Sequence, residues 1–281
     1  MDSLVSTDWL AEHLGDAGLV ILDASAHLPD AKRDPRAEFA EAHIPGARFL
    51  DLSTLVDPDS PVPAAVPTGA QFAERMQALV VDRGDRLVIY DESAVKTSAR
   101  AWFIARMHGV AEVAILDGGL AKWRTEGRPL ERGKRAIERG NFTSSSGVGT
   151  VRFKSDIQAN LGSQRDQVVD ARGRARFIGE EGDFRPNIAS GHIPGSGNLP
   201  YNLLFAHDGT ILSKKDLARA FEDAGVNLDK PVVTTCGGGV TAAVLLFAMH
   251  LLGKDDVALY DGSWSEWGAD PATPKELGAA A

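Results

Sequence analysis

Short apolar runs alternate along this chain with longer segments of helical pattern. The runs have the length and composition of buried parallel strands; they are Leu19–Leu22, Leu87–Tyr90, Val113–Leu116, Val168–Val169, Val232–Thr235 and Val257–Tyr260. Helices are predicted over Gln71–Val80, Ser98–Met107 and Val240–Leu252. Gly253 follows the last of these as a candidate C-cap. This alternation predicts an α/β fold built on parallel sheets.

The second half of the chain repeats the first. Val88–Trp123 aligns without a gap with Val232–Trp267, and more pairs are identical than ordinary residue usage would produce by chance. The tetrapeptide His-Ile-Pro-Gly begins at His43 and occurs again from His192. Two copies of one domain are the simplest explanation.

The length of the chain agrees with this two-domain organisation, and its net charge limits the partners. A chain of 281 residues accommodates two domains of about 140 residues each. We predict an N-terminal domain over residues 1–140 and a C-terminal domain over residues 151–281, joined by Gly140–Thr150, a linker rich in Ser and Gly. The net charge of −9 opposes binding to nucleic acid or to an anionic membrane.

The chain contains a single cysteine, Cys236, so no internal disulfide can form. A reducing compartment is therefore expected, and we predict a cytoplasmic protein. The acidic segment Met1–Asp8 lacks the basic and apolar regions of a secretory signal. Cys-x-x-Cys and His-Glu-x-x-His motifs are absent from the sequence, so we expect neither a metal nor another cofactor.

Cys236 opens a glycine-rich loop between a predicted strand and an apolar helix. Ligands of open parallel sheets bind beyond the carboxyl ends of the strands, where this loop must lie. Three consecutive glycines, Gly237, Gly238 and Gly239, let backbone N–H groups converge and a substrate approach closely. The helix N-terminus adds positive charge that favours a thiolate. Cys236 is thus a candidate nucleophile, and the alternative is a buried core cysteine.

Other motif interpretations compete for the same loop. Gly237-x-Gly239-x-x-Ala242, with Asp261 ending the next strand, matches a dinucleotide-binding fingerprint. Little chain follows Asp261, which makes a dinucleotide-binding oxidoreductase a distant alternative. A P-loop is excluded because no Gly-Lys-Ser/Thr follows. A cysteine phosphatase would need an arginine where Ala242 stands.

As a set, the motifs resemble those of tandem-domain, rhodanese-type sulfurtransferases, and within them the 3-mercaptopyruvate sulfurtransferase branch. The resemblance covers nearly the whole chain; its carriers are the doubled His-Ile-Pro-Gly, Leu116–Gly119 with Trp123, Asp170–Arg172 with Arg176–Phe177, Cys236–Thr241 and Tyr260–Trp264. It implies two tandem rhodanese-like α/β domains, each with a parallel sheet flanked by helices. It also implies that the Cys236 thiolate takes a sulfane sulfur from a small-molecule donor and passes it to a thiol or to cyanide.

The same resemblance assigns roles around the cysteine. The backbone N–H groups of the loop would hold the persulfide; they belong to Gly237, Gly238, Gly239, Val240 and Thr241. Arg176 and Arg185 would grip the carboxylate of the donor, because a planar guanidinium can bind both oxygens. The alternative is a pair of solvated or ion-paired surface arginines. The Thr241 hydroxyl is predicted to cap the following helix.

The first copy lacks the cysteine. Glu92 occupies the aligned position, and since a carboxylate cannot carry sulfane sulfur, we expect this domain to be structural. Asp34 and His43 match a family pattern proposed to contribute to the active site from the first domain. Because His43 has a counterpart, His192, in the other copy, an ordering role in the local turn is favoured instead.

The choice of donor depends on the charge of the loop. Rhodaneses proper usually place an arginine and a lysine after the cysteine, which suits the thiosulfate dianion, whereas this chain has Gly237 and Gly238. The uncharged loop favours 3-mercaptopyruvate, with thiosulfate as the alternative donor. Gly238 also departs from the Ser or Thr common in the mercaptopyruvate branch. A persulfide carrier that turns over small donors poorly is a second alternative, and a thioredoxin-like protein is a candidate acceptor.

Overall fold

Parallel strands form two sheets in the computed structural model, which describes residues 1–133 and 139–279. The chain divides into two units. Unit 1 comprises Met1–Pro58, Val66–Val148 and His207–Ile211, and unit 2 comprises Asp59–Ala65, Gly149–Ala206 and Leu212–Ala281. Residues 134–138, 280 and 281 of the predicted domains lie outside the described residues.

The sheet of unit 1 has the strand order β1-β5-β4-β2-β3. Its strands are β1 (Leu4–Val5), β2 (Leu19–Asp23), β3 (Arg48–Phe49), β4 (Arg86–Tyr90) and β5 (Val113–Leu116). Its helices are α1 (Thr7–Glu12), α2 (Pro35–Glu41), α3 (Gly69–Ala78), α4 (Ser98–Met107) and α5 (Gly119–Thr125), with 3₁₀ turns at Pro29–Ala31 and Leu52–Thr54. All the observed strand pairs are parallel.

Unit 2 repeats this arrangement with the strand order β6-β10-β9-β7-β8, again with parallel pairs. Its strands are β6 (Thr150–Arg152), β7 (Gln167–Asp170), β8 (Gly197–Asn198), β9 (Val232–Thr235) and β10 (Val257–Tyr260). Its helices are α6 (Lys154–Ser163), α7 (Arg174–Ile178), α8 (Lys214–Asp223), α9 (Ala242–Leu251) and α10 (Ser263–Trp267), with a 3₁₀ turn at Tyr201–Leu204. The predicted α/β fold with two parallel sheets is confirmed.

The central strands are mostly apolar and almost fully buried because both faces of each sheet are covered. Every residue of β9 and β10 is buried, and so is α9 from Ala242 to Met249. The aromatic side chains of Tyr260, Trp264 and Trp267 pack in the core of unit 2. No helix in the described part of the chain is long and apolar enough to cross a membrane.

The Ser- and Gly-rich segment predicted as a linker packs against unit 1 instead of spanning freely. Phe142 is buried, and its N–H donates to the carbonyl of Val81 at 3.1 Å. Gly147 donates to the carbonyl of Met107 at 3.1 Å, and a Cβ at Gly147 would lie only 1.8 Å from the carbonyl oxygen of Arg106. The glycine therefore permits a close backbone approach, which composition cannot distinguish from flexibility.

Candidate active site

Cys236 directly follows β9, which lies between β10 and β7 in the sheet of unit 2. It is therefore at the carboxyl edge of a central strand, as the sequence predicts. The residue is only 2% exposed. Burial alone would suit a core cysteine, so the surroundings of the loop must distinguish the two interpretations.

The start of α10 clamps the backbone of the cysteine loop. The N–H of Cys236 donates to the hydroxyl of Ser263 at 3.2 Å, and the Cys236 carbonyl accepts from the N–H of Trp264 at 2.9 Å. The Gly237 carbonyl accepts from the N–H of Ser265, also at 2.9 Å. Three successive residues of one helix thus hold two successive residues of the loop.

Ser263 adopts a backbone conformation that favours glycine. Its φ is +48°, and the aligned residue of unit 1, Gly119, has φ +57°. A non-glycine residue in this region costs of order 1–2 kcal/mol. The buried Ser263 hydroxyl compensates, since it accepts from Cys236 and donates to the Tyr260 carbonyl at 2.8 Å. Sequence analysis missed this residue, and the Gly-to-Ser difference between the copies was the available signal.

The three glycines of the loop serve different purposes. Gly239 has φ +76°, which a side chain would strain. At Gly237 the constraint is space, because a Cβ there would lie 3.3 Å from Nη2 of Arg185 and 3.9 Å from Nη2 of Arg176. At Gly238 a Cβ would make ordinary contact with Arg185 at 3.7 Å. The absence of side chains leaves room for two arginines beside the cysteine.

The loop also presents backbone donors. Within residues 1–133 and 139–279, the N–H groups of Gly237, Gly238, Val240 and Thr241 have no backbone acceptor. They precede α9, whose N-terminus carries partial positive charge. Such a set suits an anionic sulfur on Cys236. The predicted capping role of Thr241 is wrong: Thr241 is the N-cap residue, but its side chain makes no capping hydrogen bond.

An insertion delivers one of the arginines. In unit 2, Phe177 stacks on His192 and accepts a hydrogen bond from the ring across 15 residues. In unit 1, Phe39 makes the same contacts with His43 across four residues. The longer connection in unit 2 carries Arg185, so the second copy differs from the first in this loop as well as in its cysteine.

Asp183 joins the two arginines, and sequence analysis missed it. Its carboxylate accepts from Nη2 of Arg176 at 2.5 Å and from Nε and Nη2 of Arg185 at 2.8 Å each. The side chain is 1% exposed. Burial opposes ionisation, but the hydrogen bonds from Arg185 and the charges of both arginines outweigh it, and the pKa of Asp183 lies well below its ordinary value. Asp183 is therefore a carboxylate.

The arginines face the cysteine loop rather than open solvent. Nη1 of Arg185 donates to the Gly237 carbonyl at 3.0 Å. The side chains of Arg176 and Arg185 are 21% and 27% exposed, and both guanidinium groups lie about 5 Å from the ring of Phe184. The arginines are ion-paired, as one alternative held, yet they adjoin the loop. This arrangement can bind an anion next to Cys236.

Tyr201 is a further residue near the cysteine that sequence analysis did not single out. Burial raises the pKa of the Tyr201 phenol, and the nearby charge of Cys236 raises it further. The phenol is therefore neutral at ordinary pH. No sequence motif distinguished Tyr201 from a core tyrosine.

The candidates in unit 1 have local roles. Asp34 is the N-cap of α2 and accepts from the N–H groups of Arg36 and Ala37. His43 is buried, and its Nδ1 bonds the Phe39 carbonyl at 2.7 Å. Glu92, at the position aligned with the cysteine, pairs with Arg124 at 2.8 Å. These contacts agree with a role of His43 in ordering its turn.

Comparisons with known proteins identify sulfurtransferases of one family as similar to this chain. The family model described as "Rhodanese-like domain" matches residues 6–126 and 154–270. The chain is 39% identical to the 3-mercaptopyruvate sulfurtransferase of Escherichia coli K12, over 97% of each protein. It is 38% identical to thiosulfate/3-mercaptopyruvate sulfurtransferase 1, mitochondrial, of Arabidopsis thaliana, over 98% of this chain and 78% of that protein.

Among solved structures, the chain is similar to SseA from Escherichia coli, described in a study of the rhodanese fold and mechanism of 3-mercaptopyruvate sulfotransferases. The TM-score is 0.85 at 38% identity, over 95% of this chain and all of that one. Both halves of the chain are covered by these matches. They favour sulfur chemistry over the dinucleotide-binding interpretation of the loop.

Proposed function

The chain belongs to the rhodanese-like family, with two such domains, and we propose that this sulfurtransferase takes its sulfur from 3-mercaptopyruvate through Cys236. The observation that carries the proposal is the pair of guanidinium groups, Arg176 and Arg185, beside an uncharged cysteine loop. A site with these groups can hold a carboxylate on the arginines while the sulfur of the same small molecule reaches the thiolate.

The chemistry is a transfer of sulfur in two steps. The Cys236 thiolate attacks the sulfur of the donor, the carbon–sulfur bond breaks, and its electron pair passes to carbon as the enolate of pyruvate, which is then protonated. Cys236 now carries a persulfide. An acceptor thiolate or cyanide attacks the outer sulfur, and the departing Cys236 is again a thiolate.

The surroundings of the cysteine support both steps. The backbone N–H groups of Gly237, Gly238, Val240 and Thr241 have no backbone acceptor in the described part of the chain. Together with the N-terminus of α9 they favour negative charge on the thiolate and on the persulfide. The clamp from Ser263 to Ser265 fixes the loop before the donor arrives, so no reorganisation is needed during the reaction. The carboxylate of the donor replaces solvent at the exposed edges of the two guanidinium groups.

Steady-state sulfur transfer to cyanide tests the proposal. We expect a strong preference for 3-mercaptopyruvate over thiosulfate, and loss of activity with both donors in Cys236→Ser. A preference for thiosulfate would contradict the donor and keep the persulfide cycle. A fully active serine variant would contradict the nucleophile.

Two other candidates have support. Thiosulfate is an alternative donor, because the Arabidopsis relative is named for both donors. The second alternative function is a persulfide carrier, since the uncharged loop would stabilise a persulfide on Cys236 even if small donors were turned over slowly. Mass spectrometry after one equivalent of donor distinguishes it: a carrier retains the extra sulfur and shows negligible multiple turnover with cyanide.

The acceptor and the compartment remain proposals. We propose a small thiol or a thioredoxin-like protein as acceptor, with no nucleic acid or membrane as partner. The net charge of −9 supports the latter point. The cytoplasmic location rests on the single cysteine and stays a prediction.

A further inference from the structure

The anion site beside Cys236 has a built-in counter-charge. Two guanidinium groups, Arg176 and Arg185, share one carboxylate, Asp183, so the three groups together carry a single net positive charge. We propose that Asp183 is a specificity-determining residue: it limits the site to one net positive charge and thereby selects a monoanionic donor over a dianion. This inference rests on the proposed function and names the charge class of its substrate.

The negative charge of Asp183 is permanent under working conditions. The carboxylate is almost completely buried and accepts four hydrogen bonds, three from guanidinium groups and one from the Arg185 N–H. Hydrogen bonds to the charged form favour that form. These four hydrogen bonds hold the carboxylate against the arginines, so a bound donor meets guanidinium groups whose positive charge is partly neutralised.

A purely mechanical role would not require a charge. Arg185 is also held from the loop side, where its Nη1 donates to the Gly237 carbonyl at 3.0 Å. Both guanidinium groups lie about 5 Å from the ring of Phe184, a contact that restrains them further. Asp183 therefore adds something that these contacts do not supply, a full negative charge at hydrogen-bond distance from both arginines.

The loop contributes no compensating positive side chain, since Gly237, Gly238 and Gly239 follow the cysteine. Once Cys236 is a thiolate, the two guanidinium groups are balanced by the carboxylate and the thiolate. A donor with one negative charge can use the arginines at their exposed edges. The second charge of a dianion finds no further cationic side chain in the arginine pair or the loop and is repelled by Asp183 and the thiolate.

The test compares kcat/KM for thiosulfate with kcat/KM for 3-mercaptopyruvate in the wild type, Asp183→Asn and Asp183→Glu. Asp183→Asn raises the net charge of the cluster by one, so we expect the thiosulfate-to-mercaptopyruvate ratio to rise about tenfold. Asp183→Glu keeps the charge and should keep the wild-type ratio. Asp229→Asn, an exposed change in the connection that leads into the amino end of β9, is the matched control for loss of one negative charge.

Loosening of the arginines gives a different result. If Asp183 only held Arg176 and Arg185 in place, Asp183→Asn would weaken both donors in proportion and leave the ratio unchanged. An unchanged or lowered ratio would overturn the proposal. So would a ratio in Asp183→Glu that matches the ratio in Asp183→Asn.

A measurement without turnover separates this inference from the proposed function. We expect iodoacetamide to alkylate Cys236 in the wild type. Pyruvate, a monoanion, should slow this alkylation at lower concentration than sulfate, a dianion. Equal or better protection by sulfate would overturn the inference, even if Asp183→Asn fails to fold. If the wild type transfers sulfur from neither donor, the proposed function fails, whereas the protection experiment still reports the charge selectivity of the site.

Discussion

Arg176 and Arg185 share Asp183, but only Arg185 also bonds the cysteine loop, and this asymmetry predicts different kinetic defects. Arg185 Nη1 donates to the Gly237 carbonyl at 3.0 Å, whereas Arg176 Nη2 donates to the Asp183 carboxylate. We therefore expect Arg176→Ala to raise KM for 3-mercaptopyruvate with kcat nearly unchanged. Arg185→Ala should raise KM and lower kcat together.

The magnitudes follow from the contacts that each variant loses. One charge-assisted hydrogen bond to a carboxylate contributes about 1.5–3 kcal/mol, which corresponds to a rise in KM of roughly 10- to 150-fold for either variant. The Gly237 carbonyl keeps its bond from Ser265 when Arg185 is removed. Loss of the bond from Arg185 to this carbonyl should then cost as much as an ordinary hydrogen bond, about 0.5–1.5 kcal/mol. This corresponds to roughly a two- to tenfold fall in kcat.

The assay is the initial rate of thiocyanate formation from 3-mercaptopyruvate and cyanide over a wide range of donor concentration. The pseudo-first-order rate of Cys236 alkylation by iodoacetamide reports the state of the loop independently. Arg165→Ala removes an arginine side chain that is 78% exposed and serves as the control for loss of positive charge in the same unit.

Two outcomes would refute the reasoning. Equal kcat values for Arg176→Ala and Arg185→Ala would show that the bond to Gly237 has no kinetic role. A KM that stays at the wild-type value in both variants would show that neither arginine holds the donor carboxylate. The alkylation rate should change in Arg185→Ala alone.

Three further predictions concern stability. Ser263→Ala should lower the free energy of unfolding in urea by about 1–3 kcal/mol, because the buried N–H of Cys236 loses its acceptor. Ser263→Gly should cost about 1 kcal/mol less, since glycine relieves the positive φ. Equal losses in the two variants would contradict the backbone strain at this position. The folded-state pKa of Asp183 lies below its unfolded value, so the stability that this residue contributes is present above about pH 4 and is lost as the pH falls towards the folded pKa. The free energy of unfolding of Asp183→Asn should therefore fall less steeply with decreasing pH than that of the wild type. Identical slopes would contradict this coupling between protonation of Asp183 and stability. Gly147→Ala should lower Tm, because its Cβ would clash with the backbone at Arg106. Gly162→Ala lies in a helix with open space around the Cβ and should stabilise the protein by about 0.5–1 kcal/mol. Similar Tm values for the two variants would contradict the close backbone packing at Gly147.

The central strands could be predicted from the sequence because burial on both faces of the sheet produces short, mostly apolar runs. Val113–Leu116, Val232–Thr235 and Val257–Tyr260 have the predicted bounds. The short edge strands β1, β3, β6 and β8 were missed, since two or three residues paired on one side carry no periodic signal.

Helix ends were harder to predict than helix existence. The helix predicted over Gln71–Val80 spans Gly69–Ala78, because a capping box between Thr68 and Gln71 sets its start. At Thr241 the reverse holds, since a residue of capping type stands at the helix start without making the bond. Capping depends on backbone angles, and the choice of residue alone does not set them.

The amino-acid sequence was sufficient for the repeated fold and for the position of the cysteine at the end of a central strand, because strand patterns and glycine runs are local. Arg176 and Arg185 were named from a family motif; they lie beside the loop, and their binding of the donor stays a prediction. The carboxylate of Asp183, the bond from Arg185 to Gly237 and the clamp by Ser263 required the folded chain. Each of these contacts joins backbone or side-chain groups whose distance depends on loop paths. Loop paths follow from packing and hydrogen bonding throughout unit 2, so the charge and rigidity of the site are properties of the tertiary structure.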